Sequence, residues 1–161
     1  MPGFEFIARE HPAIVHLPIA ASLLLPLPLF LALRNPVWFP AVRLQAWAGF
    51  AGGMAAILSG FLWARSMDLI APGALMPAHP GLIATHEWLA LSGLGAGLAA
   101  LILVELKRLR PALVVALIWA VLWGATGHWG GKMVFPEPDA VSQNILSTES
   151  PWATWVLPKS S

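Results

Sequence analysis

The chain has 161 residues, 58% hydrophobic and 11% charged, with a formal net charge of +1 and a mean hydropathy of +0.72. Soluble domains carry about 25% charged residues, so this composition points to a membrane protein and gives no electrostatic case for nucleic acid. The lack of cysteine excludes disulfides, iron–sulfur clusters, thiolate-held metals and covalently attached haem. Any haem must be non-covalent, and any metal must be held by imidazole or carboxylate.

Charged residues divide the chain into four apolar spans, expected at about 12–33, 43–64, 84–105 and 111–131, each near the ~20 residues a helix needs to cross the hydrocarbon core. Lipid offers backbone groups no outside partner, so the spans are predicted to be helices. The expected fold is all-α: an integral membrane four-helix bundle of up-down topology over residues 1–135. An extramembrane C-terminal tail over 136–161 follows it.

The stretch before the first span lacks a basic n-region and a clear A-x-A site, so this helix is expected to be retained rather than cleaved. Pro18, Pro26 and Pro28 predict that it is kinked. In the second span Gly49, Gly53, Ala56 and Gly60 form a small-residue stripe suited to close helix packing. The Pro/Gly-rich segment 71–81 reads as a loop containing His79. The third span aligns His86, Ala90, Gly93 and Gly97 on one face, and the fourth aligns Gly124, His128 and Gly131. Both faces are expected to turn toward a shared interior. Trp38, Trp63, Trp88, Trp129, Trp152 and Trp155 flank the spans as an aromatic belt, whereas Trp119 and Trp123 lie deeper and read as core.

Arg34, Arg43, Lys107, Arg108 and Arg110 crowd the two short connections. By the positive-inside rule that side is cytoplasmic, which puts both termini on the outer, periplasmic side of a bacterial inner membrane. His11 and His16 open the first helix, His86 opens the third and His128 closes the fourth, so all four are expected toward the outer face. Ionisable groups at membrane depth are expensive and mark ion pathways, cofactors or metals. His11, followed by Pro12, also reads as a helix-start residue, but His16, His86 and His128 on three helices at one level read as a shared site.

The run His11-Pro12-Ala13-Ile14-Val15-His16-Leu17-Pro18-Ile19-Ala20 and the run Gly127-His128-Trp129-Gly130-Gly131-Lys132-Met133-Val134 resemble the HPxxVHxPIA and GHxGGxLV signatures of an uncharacterised family of four-helix bacterial membrane proteins. The resemblance takes in His86 and covers about residues 11–135. Some relatives are joined to, or encoded with, cytochrome c modules, which implies electron transfer near the outer face.

The leading expectation is a b-type cytochrome-like protein with His16 and His86 as axial ligands. His128 stands beside them or substitutes, His11 supports, and Arg9, Arg65 or Lys132 pairs with propionates. It would pass electrons between quinol and an external acceptor such as a cytochrome c. A second expectation is a copper or zinc site on His16, His86 and His128, with His11, Glu10 or Glu87 in support. A third is a structural or accessory subunit of a larger respiratory or photosynthetic complex. A hydrolase is not expected, because Ser59 and Ser92 read as lying away from the histidine layer.

Overall fold

The computed structural model describes Phe6, residues 10–66 and residues 81–134. Apart from turns, every element among them is helical. The first span comprises α1 (His11–Ile14), α2 (His16–Leu24) and α3 (Pro26–Ala32). It is interrupted at Val15 (φ −66°, ψ −20°) and Leu25 (φ −58°, ψ −36°), which keep helical dihedrals. Each lies three residues before a proline, Pro18 and Pro28, whose missing N–H removes one rung of the helical ladder. The expected kink therefore takes the form of two weakened points in a chain that continues helically.

A 3₁₀ turn (Pro36–Trp38) leads into α4 (Phe39–Ser66). Asn35 is extended, and its side chain accepts a 3.0 Å hydrogen bond from the Val37 N–H, with Pro36 at the first helical position. This cap starts the helix four residues before the Arg43 boundary expected from charge alone. Two long helices follow, α5 (Leu82–Glu105) and α6 (Leu109–Val134). Between them the Lys107 N–H bonds the Val104 carbonyl at 2.9 Å and the Arg108 N–H bonds that of Leu103 at 2.8 Å, while Lys107 itself has φ 56°. This is a Schellman turn with lysine at the left-handed position that glycine ordinarily fills.

Four segments, His11–Ala32, Pro36–Ser66, Ile83–Glu105 and Leu109–Met133, are long and apolar enough to cross a membrane. Leu44, Leu58 and Val121 project outward, an arrangement costly in water and ordinary in lipid. The first segment packs on α4 and α6, and α5 packs on the same two helices. His11 meets Ser59, Arg43 meets Glu105 and His86 meets Thr126. At each of these junctions the beginning of one helix lies beside the end of the next.

Trp119 and Trp123, each 1% exposed, fill the middle of the assembly from adjacent turns of α6. A Cβ added at Gly49 would come within 2.5 Å of the Trp119 ring, and one at Gly97 within 2.7 Å. Gly53 and Gly93 flank Trp123 in the same way, at 3.2 and 3.0 Å. The stripes expected on the second and third spans thus face inward, because they leave the volume that the indoles take. The fourth span differs. His128 is exposed and Gly124 and Gly131 have no neighbour within 4 Å of an added Cβ, so that stripe looks outward and the tryptophan face of α6 is the buried one.

Candidate functional site

His11 and His86 are the half-buried histidines of the described chain, and they occupy the same end. His86, one turn into α5, places Nδ1 3.0 Å from the Thr126 carbonyl of α6. A carbonyl only accepts, so Nδ1 carries the hydrogen and the lone pair of the neutral ring resides on Nε2. His11 places Nδ1 2.9 Å from Ser59 Oγ, and the Ser59 hydroxyl donates to the Ala56 carbonyl at 3.0 Å. With its single hydrogen committed, Oγ must accept from His11, which again leaves the lone pair on Nε2.

Glycine makes room for both rings. A Cβ at Gly60 would stand 2.8 Å from His11 Cε1, and one at Gly130 would stand 3.0 Å from His86 Cε1. Glu87, next to His86, keeps one carboxylate oxygen buried with no hydrogen-bond partner among the described residues.

His16 and His128 belong to a different surface. His16 is exposed, and its Nδ1 contacts the Pro12 carbonyl one turn back on its own segment. His128 is exposed, with its ring edge-on to Trp129 at a centroid distance of 6.1 Å. The structure therefore does not bring His16, His86 and His128 together, and among the described residues no group of three His, Cys, Asp or Glu side chains stands where it could hold a metal ion. His11, expected to support, occupies the inward position expected of His16. Arg65 stacks its guanidinium over Phe61 at 5.5 Å, and Lys132 sets its ammonium over Trp129 at 5.4 Å. Both lie at the histidine end. Arg9, His79, Trp152, Trp155 and the 136–161 tail fall outside the described residues.

Ser59 corrects the sequence reading that set it away from the histidines. It belongs to them because α4 runs on to Ser66 beside α1. Its hydroxyl is committed to a carbonyl and accepts from imidazole, the reverse of the polarity a nucleophile–base pair needs. Thr126, Gly60 and Gly130 also went unassigned. Gly60 belonged to a recognised stripe, and Ser59 sits beside that stripe at the helical spacing that continues its buried face.

The arrangement fixes two imidazole rings on different helices at one end of the bundle, each with its Nε2 lone pair unprotonated. They supply fewer donors than a small-ion site of three or four ligands requires. No family model, curated protein or solved structure matches the chain.

Proposed function

We propose that this chain is a multi-pass electron-transfer protein of the bacterial inner membrane that binds one b-type haem through His11 and His86. The observation that carries this reading is the state of those two rings. Each gives its Nδ1 hydrogen to a fixed acceptor and turns Nε2 into a ligand, the arrangement that orients metal-bound histidines generally. Gly60 and Gly130 have no side chain, which lets the two rings pack directly against their helices. Arg65 and Lys132, at the same end and exposed, are suited to propionates. A haem bound here supplies one-electron exchange between a membrane quinol and an external acceptor such as a cytochrome c.

The basic residues of the short connections support a periplasmic placement of the start of the first span and the close of the fourth. In that orientation the histidine end faces the side where an external acceptor is reached. Glu87, beside His86, is the group available there to hold a proton released from quinol.

The test is an absorption spectrum of the detergent-purified protein, oxidised and then reduced with dithionite. A reduced b-type α-band is expected in the wild type, abolished by His11→Ala or His86→Ala and retained in His16→Ala and His128→Ala. A haem-free wild type after expression with ample haem would sink the proposal. One observation favours the accessory-subunit reading instead. His16 and His128 are imidazoles on the outward surface, where a polar group gains from a partner in place of hydrocarbon, and that reading predicts co-purification of a second membrane chain with a haem-free spectrum.

A further inference from the structure

The end opposite the histidines holds a cleft of about 480 Å³ between the close of the first span and the α5–α6 turn. Its lining is of two kinds: apolar, from Ala32, Leu33 and Leu109, and cationic, from Lys107, Arg108 and Arg110. Ala32 is buried, whereas the three cations are exposed, which gives the cleft an apolar floor and a positive rim. Arg43 is engaged by Glu105 at 2.7 Å, but among the described residues no carboxylate pairs with Lys107, Arg108 or Arg110. The Lys107 ammonium lies 6.0 Å from the Phe39 ring.

The rim is also held in place. Two backbone hydrogen bonds close the turn, and Lys107 occupies its left-handed position at φ 56°, a conformation that costs a non-glycine residue free energy. Orienting the chain in a membrane requires positive charge only somewhere in these connections. It does not require the charges to surround an apolar hollow at the level where the helices end.

We infer that this cleft seats an anionic phospholipid, its phosphate headgroup among Lys107, Arg108 and Arg110 and the start of its acyl chains against Leu33 and Leu109. Charge complementarity, with apolar side chains beside the cations, selects this occupant. Basic pockets between helices at the bilayer surface recognise such headgroups, each nearby cation adding to the attraction. The site is remote from the imidazoles and stands or falls independently of haem.

The experiment counts lipid retained by the full chain, by native mass spectrometry, after exposure to nanodiscs of mixed phosphatidylglycerol and phosphatidylcholine. Wild type is expected to keep phosphatidylglycerol selectively. Replacing all three cations with glutamine (K107Q, R108Q, R110Q) should lower that preference by about a hundredfold. Leu33→Trp fills the cleft without changing charge or insertion signals, and it should also lose the lipid while its helical circular dichroism is unchanged. Equal retention by Leu33→Trp and wild type would overturn the cleft, whatever the triple variant does, because attraction would then be diffuse. Displacement of the lipid by inorganic phosphate alone would overturn the lipid assignment in favour of a free anion.

Discussion

Gly95 and Gly97 are two residues apart on α5 and meet opposite surroundings. A Cβ at Gly97 would lie 2.7 Å from the Trp119 ring, while one at Gly95 would meet nothing within 4 Å. Gly97→Ala should therefore cost about 1–3 kcal/mol, the usual range for overpacking a core. Gly95→Ala should be stabilising by up to about 1 kcal/mol through helix propensity. Thermal unfolding of both variants in one detergent measures the contrast, and equal melting temperatures would contradict the packing described. Lys107→Gly relieves the left-handed residue and should add about 1 kcal/mol in the same assay. Ser59→Ala removes the oxygen that accepts from His11 Nδ1, which should cost about 1–3 kcal/mol and, if the proposed haem is bound, weaken its retention without abolishing it. The choice between His11 and His16 was constrained by sequence but not decided by it. Five residues correspond to about 140° around a helix, so only one of the pair can face inward, and nothing local says which. A serine forty-eight positions away decides it.

At the scale of the element, charge located the four spans but misjudged one boundary. Pro36 and Pro40 look like loop residues and Arg43 looks like an edge, yet Asn35 caps the turn that carries the helix back to Phe39. Asn35→Ala should cost about 1 kcal/mol, the usual worth of such a cap, and fray this end first in hydrogen exchange. The inward faces of α4 and α5 were legible because small residues at helical spacing are wasted unless something large fills the gap. On α6 two faces compete at the same spacing, Gly124/His128/Gly131 and Trp119/Trp123/Thr126. Volume resolves the contest, since indoles occupy the interior left by Gly49, Gly53, Gly93 and Gly97. Read alone, α6 could not reveal it, because the space belongs to other helices.

For the whole molecule, the lack of cysteine makes sidedness directly testable. Gly81→Cys and Lys107→Cys lie at opposite ends of the structure, and in sealed inverted vesicles an impermeant maleimide should label Lys107→Cys but not Gly81→Cys. The reverse pattern would place the histidine end in the cytoplasm and remove the external acceptor from the proposed function. Glu105 links α5 to α4 at the loop end, accepting from Arg43 Nε at 2.7 Å and Trp47 Nε1 at 2.8 Å through one oxygen. Since the pair is largely exposed, Glu105→Gln should cost no more than about 1 kcal/mol and leave the vesicle labelling unchanged.

Trp119 and Trp123 form two stacked layers spanning about 6 Å along the α6 axis. Their indole nitrogens have no hydrogen-bond partner among the described residues, so these layers present no relay by which a proton could step from one end to the other. Because the four segments are long enough to cross a bilayer, the imidazoles and the basic cleft at the bundle's two ends would sit at different potentials in an energised membrane.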